Sequence, residues 1–348
     1  MREHAIRGTG TEEMDELITL NQGSGGLLTH HLIVEVFQKN FGMPDPLTDS
    51  AVCDSGAGTI AFTTDSYVVD PLFFPGGNIG KLAVCGTVND LAVSGAVPKW
   101  LSASFIIEEG FPLGDLSLIV ETMAEEALKA GVKIVTGDTK VVEKGKCDKL
   151  FITTSGTGIL DSSRKHIGSG ARITTGDRLI INGAVGNHSL AVLGARNQMS
   201  FSTSVISDCA SLNRLTESIL AGCIHVHFMR DLTRGGLATV LNELAGITGK
   251  GISVDESSVP MDEPVRGLCE MLGFDPLYLA NEGKVLVVVG SGEAQKVLEI
   301  MRSHPLGKNA AIIGDISDYP TPMVTLKTSI GSKRILDMLS GLQLPRIC

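Results

Sequence analysis

The chain has 348 residues, 43% of them hydrophobic and 20% charged, which is enough apolar material for a buried core and excludes disorder over the whole length. Its 29 Lys and Arg residues against 39 Asp and Glu residues give a net charge of −10, so we expect neither nucleic acid nor a membrane surface as a partner. The seven cysteines have no Cys-x-x-Cys spacing, and the N-terminal residues do not have the basic and apolar pattern of a secretory signal. No apolar run reaches the ~18–20 residues that cross a membrane. We therefore expect a cytoplasmic protein with reduced thiols.

A glycine-rich segment at 21–26 precedes a predicted amphipathic helix at 27–37. Glycines allow successive backbone N–H groups to converge on an anion at a helix N-terminus. The segment therefore predicts phosphate contacts, and a linker that happens to be rich in glycine is the alternative. The candidate residues are Gly23, Ser24, Gly25 and Gly26.

An α/β domain is predicted over 45–160, after an N-terminal segment at 1–44. The hydrophobic periodicity predicts strands at 58–64, 100–107, 132–136 and 150–158 and helices at 78–95 and 113–131. Asn78 is the expected N-cap of the first helix, and Gly131 the expected C-cap of the second. Two nucleotide motifs fail here. No Gly-x-x-x-x-Gly-Lys-Ser/Thr string exists, and the loose Gly-x-Gly-x-x-Ala match at 56–61 leads into a strand instead of a helix.

Three carboxylates are candidates for metal binding in this domain. Asp65 ends a predicted strand, Asp138 follows another, and Asp90 lies within the helix at 78–95 on a face of small residues. Open α/β sheets place ligands at the carboxyl ends of their strands. With Lys140 beside one of them, three carboxylates are what Mg²⁺ bridging an ATP polyphosphate requires. For Asp90 a solvated helix face is the alternative.

A second α/β domain is predicted over 161–326, with a loop-like junction at 161–176 and a C-terminal tail at 327–348. Strands are expected at 178–182, 285–289 and 310–316, and helices at 209–222, 235–246 and 293–303. A charged, glycine-bearing turn at 230–237 and the turn at 281–284 are further candidate sites, with ordinary capping turns as the alternative. The pair His225 and His227 favours a structural role, because no third ligand has metal-site spacing.

Seven strings taken together resemble HypE, a family of nickel–iron hydrogenase maturation factors that act as carbamoyl dehydratases within the AIR synthase-like superfamily of ATP-using enzymes. The resemblance extends from Asn21 to Cys348. The strings are Asn-Gln-Gly-Ser-Gly-Gly at 21–26, Thr-Thr-Asp-Ser at 63–66, Asn-Asp at 89–90, Gly-Asp-Thr-Lys at 137–140, Asp-Leu-Thr-Arg-Gly-Gly-Leu at 231–237, Asn-Glu-Gly-Lys at 281–284 and Pro-Arg-Ile-Cys at 345–348.

The resemblance implies a two-lobed α/β (α+β) fold, with a dimerising sheet in the N-terminal lobe, a C-terminal α/β lobe and a flexible tail. It implies that a transferase, HypF, loads a carbamoyl group on the thiol of Cys348. The enzyme then dehydrates this thiocarboxamide to a thiocyanate with ATP and Mg²⁺, and a HypC–HypD scaffold complex accepts the cyanide for iron. A homodimer is expected.

The implied site residues fall into three groups. Cys348, Lys140 and Glu282 are the catalytic candidates, Lys140 to stabilise the phosphoryl group or amide oxygen and Glu282 to orient or deprotonate the amide. Asp65, Asp90 and Asp138 are the metal candidates. The nucleotide-binding candidates are Gly23, Ser24, Gly25, Gly26, Asn89, Thr139, Asp231, Gly235 and Gly236.

Two other functions fit parts of the sequence. A related enzyme with a different small substrate, such as a selenophosphate synthetase or a thiamin-phosphate kinase, has no use for a terminal cysteine. The first of these also looks for a reactive Cys or Sec in the glycine-rich N-terminal stretch, where this chain has Ser24. A non-enzymatic carrier or scaffold would use the thiol of Cys348 but would leave four residues without a role: Asp65, Asp90, Asp138 and Lys140.

Overall fold

The computed structural model describes residues 26–38, 48–54, 56, 58–196, 204–319, 321–339, 341, 344 and 346–348. The α-helices in this part of the chain are α1 (Leu27–Leu32), which continues as a π-helical segment (Ile33–Gln38), α2 (Ile79–Val93), α3 (Leu113–Ala130), α4 (Asn187–Ala195), α5 (Asn213–Gly222), α6 (Gly236–Thr248), α7 (Glu263–Leu272) and α8 (Ala294–Ser303). The strands are β1 (Ala51–Asp54), β2 (Thr59–Tyr67), β3 (Phe73–Phe74), β4 (Gly77–Asn78), β5 (Ala96–Glu108), β6 (Lys133–Val142), β7 (Leu150–Leu160), β8 (Arg178–Ile181), β9 (Val226–Asp231), β10 (Gly251–Asp255), β11 (Val285–Val289), β12 (Ala311–Ser317), β13 (Val324–Lys327) and β14 (Lys333–Ile335).

The first lobe is built on a five-stranded sheet in the order β1-β2-β7-β5-β6, in which β5 and β6 are parallel and the other pairs antiparallel. Side chains alternate between the two faces of a strand. One face packs on α2 and α3 and forms the first hydrophobic core. The other carries exposed large hydrophobic side chains, among them Phe62 and Trp100, which lie in one row on either side of Thr157.

The second lobe is built on a seven-stranded sheet in the order β14-β13-β10-β12-β8-β11-β9. Hydrophobic clusters lie on both of its faces, one with α6 and the other with α5 and α8. The five residues of β11 are all buried, as expected for a strand covered on both sides.

Helix α2 connects the two lobes. It begins at Asn78, whose side chain accepts a hydrogen bond of 3.1 Å from the N–H of Lys81, so the predicted N-cap is confirmed. The helix packs on the first sheet and also on α5 and β9 of the second lobe. Its small-residue face does meet another part of the chain: a Cβ on Gly86 would lie 2.2 Å from the hydroxyl of Tyr67. The predicted C-cap of α3 is also confirmed, because Gly131 is left-handed with φ 73°.

Three sequence-based boundaries were wrong. Asp138 does not follow a strand, because β6 continues to Val142 through its parallel pairing with β5. Helix α5 begins at Asn213 and not at 209, because the N–H of Leu212 is bonded to the side chain of Asn89. The segment from 327 to 335 is not part of a tail, since β13 and β14 pair as the edge of the second sheet. The sequence also gave no prediction for α4, α7 and β10.

Candidate active site

Four carboxyl groups from both lobes gather where the lobes meet, and we call them the acidic cluster: Asp65, Asp90, Asp231 and Glu282. Asp65 lies near the end of β2, Asp90 in α2, and Asp231 ends β9. Glu282 lies in the turn before β11. Asp231 and Glu282 are buried, and Asp65 and Asp90 half-buried. The fold therefore brings together two of the three predicted metal ligands, one predicted catalytic residue and one predicted nucleotide contact.

Burial raises the pKa of every carboxyl group in the acidic cluster. For Asp90 the repulsion from Asp65 and Asp231 raises the pKa further. The interaction with Asp90 partly opposes the shift at Asp65, and the hydroxyl of Thr63 donates to Asp90 at 2.6 Å. Burial and mutual repulsion thus disfavour the charged forms of these carboxyl groups, and a bound cation would relieve both effects.

The turn at 281–284 is held in place by buried polar contacts that orient Glu282. The carboxylate of Asp208 accepts hydrogen bonds from the N–H groups of Glu282 and Gly283, each at 3.2 Å, and from the ammonium of Lys284 at 2.9 Å. A Cβ on Gly283 would lie 2.0 Å from the carbonyl oxygen of Asp208, so only glycine fits there. In contrast, Oε1 of Glu282 is buried without a hydrogen-bond partner among the described residues. The turn is rigid, and the carboxyl group that it presents is left for a ligand.

The end of the chain docks against the acidic cluster. A main-chain oxygen of Cys348 accepts a hydrogen bond from the N–H of Val68, directly after β2, at 3.2 Å. Desolvation raises the pKa of the half-buried Cys348 thiol to about 12, although the guanidinium of Arg234 opposes the shift. The charges that act on the thiol belong to Arg234, Glu282, Asp65 and Asp231. The terminal cysteine therefore lies at the acidic cluster in the structure of one chain.

Basic residues beside the acidic cluster were not among the predicted site residues. Arg234, in the turn before α6, acts electrostatically on Cys348, Asp65 and Glu282. Arg230 is nearly buried and pairs with Asp49 at 3.1 Å and with Glu243 at 2.6 Å. The sequence did contain a signal for Arg234, since it lies between Asp231 and two glycines of the charged turn. Nothing in the local sequence marked Asp49, because its neighbour in the fold lies 181 residues further along.

The two glycines of that turn have structural reasons to be glycine. Gly235 and Gly236 are left-handed, with φ of 77° and 60°. A Cβ on Gly236 would lie 2.6 Å from the carbonyl oxygens of Leu277 and Leu279, and one on Gly235 would lie 2.1 Å from the hydroxyl of Thr239. They form the start of α6 beside the acidic cluster, and their predicted contact with nucleotide stays a prediction.

Asp138 and Lys140 lie away from the acidic cluster. Asp65 on β2 pairs with Thr154 on β7, which in turn pairs with Ala103 on β5. Asp138 on β6 pairs with Ser104, the next residue of β5. Because consecutive residues of a strand point to opposite faces, Asp65 points to the helix-covered face. Asp138 points to the opposite face, on which no helix of the described residues packs and which we call the helix-free face. Asp138 and Lys140 are exposed and form an ion pair of 2.9 Å with each other. Within one chain, Asp138 therefore does not complete a metal site with Asp65 and Asp90.

The remaining predicted nucleotide contacts have different surroundings. Asn89 is buried, and its side-chain amide is bonded to the backbone of Ala210 and Leu212, so it connects the lobes. Thr139 is exposed on β6, where its N–H donates to Asp138 at 2.9 Å. Gly26 packs against the carbonyl group of Leu339, toward the end of the chain. Gly23, Ser24 and Gly25 lie outside the described residues.

The acidic cluster fits a magnesium ion that arrives with phosphate ligands. Its donors are the carboxylate oxygens that Mg²⁺ prefers, and the repulsion between Asp65 and Asp90 would be relieved by a bound cation. Among the residues that the structure describes, no three His, Cys, Asp or Glu side chains are arranged to hold a metal ion by themselves. This agrees with the habit of Mg²⁺ to bind one or two carboxylates and to take its other ligands from phosphate and water.

Comparison with known proteins identifies first the class and then the family. Residues 47–160 match the family described as AIR synthase related protein, N-terminal domain, and residues 174–327 match AIR synthase related protein, C-terminal domain. The fold is therefore that of the AIR synthase-related proteins. The chain is 50% identical to carbamoyl dehydratase HypE of Rhodobacter capsulatus over 339 residues, which are 96% of this chain and 99% of the relative. The chain belongs to the carbamoyl dehydratase HypE family.

Two solved structures of this family resemble the chain closely. A crystal structure of a HypE–HypF complex is 48% identical, with a TM-score of 0.83, and the match covers 88% of this chain and 99% of that one. A crystal structure of the hydrogenase maturation protein HypE in complex with ATP is 45% identical, with a TM-score of 0.80 over 95% of this chain and 100% of that one. The resemblance seen in the sequence is thus confirmed. No helix in the described part of the chain is long and apolar enough to span a membrane.

Proposed function

We propose that the protein dehydrates a carbamoyl group carried on the sulfur of Cys348 to a thiocyanate, with ATP and Mg²⁺, and so supplies cyanide ligands for the iron of a nickel–iron hydrogenase. The observation that carries this proposal is the position of the Cys348 thiol, which docks among Arg234, Glu282, Asp65 and Asp231. A cysteine with only a packing role has no need of a cluster of carboxyl groups around its sulfur.

The reaction needs a better leaving group than oxide. Transfer of the γ-phosphoryl group of ATP to the amide oxygen gives one, and loss of both N–H protons and of phosphate then leaves a nitrile on the sulfur. ATP would supply this phosphoryl group, and Mg²⁺ would neutralise charge on its phosphates. A HypE relative has been crystallised with ATP, which supports nucleotide binding at the same fold.

The chain's own residues have distinct roles in this proposal. Glu282 lies in a rigid turn with a free Oε1 and a pKa well above the ordinary value, raised by burial and then by Asp231. A carboxyl group whose pKa is moved toward neutrality is suited to exchange protons with the amide nitrogen. Arg234, the cation next to the docked thiol, is placed to stabilise negative charge on the amide oxygen.

Contacts with nucleotide and metal are assigned to the parts of the cluster that face a ligand. Asp65 and Asp90 would hold Mg²⁺, with Asp231, Gly235 and Gly236 beside the phosphates. The glycine-rich segment that includes Gly26 would also contact the nucleotide, as would Asn89 and Thr139.

Asp138 and Lys140 would reach the nucleotide from a second copy of the chain. Both point to the helix-free face of the first sheet, which exposes Phe62, Trp100 and Ile106. An apolar face of this kind is typical of a protein–protein interface. We therefore propose a homodimer in which Asp138 contacts the metal and Lys140 contacts the phosphoryl group.

The remaining partners follow from the chemistry of the carried group. A carbamoyl group has to be loaded by another enzyme, and the crystallised HypE–HypF complex supports HypF in that role. The HypC–HypD complex is the proposed acceptor of cyanide. The cytoplasm is the proposed location, since all seven cysteines are free thiols.

A mass measurement on the C-terminal peptide tests the proposal. After incubation with HypF and its substrates, we expect this peptide to gain the mass of a carbamoyl group and, with ATP and Mg²⁺, to lose one water. The Cys348→Ala variant should show neither change, whereas Cys53→Ala, which removes an exposed thiol of β1, should behave as wild type. Modification of an internal cysteine in the Cys348→Ala protein would disprove the proposal.

A further inference from the structure

The last residues of the chain are held against the first lobe by backbone hydrogen bonds. The N–H of Val68 donates to a main-chain oxygen of Cys348, and the N–H of Asp70 donates to the carbonyl oxygen of Arg346, each at 3.2 Å. The two bonds run in antiparallel order with Ile347 between them, and the backbone of Arg346 is left-handed with φ 54°. The side chain of Ile347 is buried in the first hydrophobic core. These contacts come from the backbone of the first lobe and fix where the segment lies.

Two side chains of the second lobe contact the same segment. The guanidinium of Arg196, directly after α4, donates to the carbonyl oxygen of Arg346 at 2.9 Å, and the second side chain is fully buried. His188, in α4, is completely buried, and its Nε2 lies 2.8 Å from the carbonyl oxygen of Ile347. Its Nδ1 lies 2.8 Å from the hydroxyl of Ser207. A carbonyl oxygen can only accept a hydrogen bond, so Nε2 carries the proton and donates. Nδ1 then accepts from the hydroxyl of Ser207, whose oxygen in turn accepts from the N–H of Cys209 at 3.1 Å.

The surroundings of His188 fix its ring as well as its tautomer. The ring packs edge-on against Phe74, with 5.4 Å between the ring centroids. Burial lowers the pKa of His188, which keeps the imidazole neutral, although the charge of Asp208 acts in the opposite direction. A neutral ring with a fixed tautomer is a donor of defined direction, and it is aimed at the peptide group next to the cysteine.

The geometry points to His188 as a positioning residue that latches the C-terminal segment in the docked state and so places the sulfur of Cys348 at the acidic cluster. The inference rests on the proposed function in so far as Cys348 is the carrier. A carrier thiol has to leave the cluster to be loaded and return to it for dehydration. A hydrogen bond from the second lobe to the penultimate residue exists only in the docked state, so it shifts this equilibrium without touching the reacting atoms.

Two substitutions of equal polarity separate the latch from the rest of the fold. In His188→Asn the short amide lies where Nδ1 lies now, so it keeps the bond to Ser207 but does not reach Ile347. In His188→Gln the longer side chain extends its NH₂ group toward the carbonyl oxygen of Ile347. The pair therefore divides the two contacts of His188, because the Asn amide keeps the one to Ser207 and the Gln amide keeps the one to the C-terminal segment.

Alkylation by iodoacetamide reports the undocked fraction. The thiolate of Cys348 displaces iodide and forms a thioether, and its proton goes to the buffer. This is slow for the docked thiol, because its pKa is raised to about 12. Loss of one hydrogen bond should make alkylation of Cys348 in full-length His188→Asn about fivefold faster than in wild type. His188→Gln should stay near the wild-type rate.

Two controls test whether the effect is specific to Cys348 and to His188. Cys53 is exposed on β1, so its alkylation in the same samples should be equal in all variants. His225→Asn makes the same change at an exposed histidine of the second lobe and should leave the Cys348 rate unchanged. The melting temperatures of the Asn and Gln variants should be similar, because each variant keeps one of the two hydrogen bonds of His188.

The outcomes separate this inference from the proposed function. With HypF, ATP and Mg²⁺, His188→Asn should load carbamoyl at least as fast as wild type and dehydrate it more slowly, and His188→Gln should restore dehydration. Equal alkylation of Cys348 in wild type and His188→Asn would overturn the latch, even if wild type dehydrates its carbamoyl group. Faster alkylation in His188→Asn, together with no dehydration in wild type, would support the latch and overturn the proposed function.

Discussion

Carboxylates in two regions of the first lobe have the same chemistry and opposite surroundings. In the acidic cluster, burial and repulsion raise the pKa of Asp90 well above its ordinary value. On the exposed edge strand β6, hydrogen bonds from Lys140 and from the N–H of Thr139 lower the pKa of Asp138. Asp138 is satisfied by its neighbours, whereas the cluster gathers carboxyl groups with too few cations. Such an arrangement costs stability in the absence of a ligand and prepares the cluster to bind a cation.

The difference also shows how strand register separates residues that the sequence places in one functional group. Asp65 and Asp138 both lie beside a threonine in sequence, but they point to opposite faces of one sheet. The buried carboxylates can act within one chain. The exposed pair can act at the nucleotide only through contact with another molecule.

The largest effect is expected at the centre of the cluster. Asp90→Asn keeps the shape of the side chain and removes one charge that faces Asp65 and Asp231. ATP turnover should fall by about 100-fold or more, while the melting temperature should not fall, because a repulsive charge is lost. Asp115→Asn makes the same change in the first turn of α3, outside the acidic cluster, and should leave turnover unchanged. Unchanged hydrolysis in Asp90→Asn would remove Asp90 from the proposed site.

The next largest effect is expected from charged substitutions on the helix-free face beside Asp138. In a dimer built on this face, Trp100→Glu combined with Phe62→Lys should give the mass of one chain by light scattering, where wild type gives two. Charges in a buried interface cost more than the contact returns. The control is Leu128→Glu, which changes a more exposed hydrophobic residue on α3, away from this sheet face. A wild-type protein of monomeric mass would contradict the dimer.

A smaller effect concerns the pH dependence of stability. Burial raises the pKa of Asp49 from 3.8 to about 6, despite the ion pair with Arg230. A raised pKa in the folded state stabilises the fold at low pH, and this contribution is lost as the pH rises from about 4 to about 6. Urea unfolding should show that Asp49→Asn loses less stability than wild type over this interval, by about 1 kcal/mol or more.

Asp138 is the comparison for that prediction, because its pKa is shifted in the opposite direction. The pKa of Asp138 is lowered, so its contribution is present above the ordinary pKa and is lost as the pH falls. Asp138→Asn should therefore not flatten the loss between pH 4 and 6. An equal response of both variants would mean that burial does not distinguish the two regions.

The smallest effect is expected for the exposed ion pair itself. Lys140→Ala removes the partner of Asp138 where both side chains are exposed, so the melting temperature should change by about one degree or less. Turnover of ATP by the same variant should nevertheless fall, because Lys140 is proposed to act at the phosphoryl group. Normal turnover with a large loss of thermal stability would assign Lys140 to the fold instead.

Much of the fold could be predicted because its signals are local. Asn78 begins one helix and Gly131 ends another through contacts within a few residues. The buried strand at 285–289 is a continuous apolar run. The helix α7 could have been found in the same way, since it has Pro264 in its first turn and a left-handed Gly273 at its end. The α/β class and the family were therefore accessible from the sequence.

The site was only partly accessible, because its decisive contacts join distant parts of the chain. The sequence alone determined the candidate residues, because the carboxyl groups of the acidic cluster and Cys348 all stand in the strings that resemble the HypE family. Tertiary structure decided that Asp138 faces away from Asp65, since the face of a strand residue depends on where the strand starts and on its partner. It also decided that His188 meets Ile347, a contact over 159 residues that no spacing in the sequence encodes.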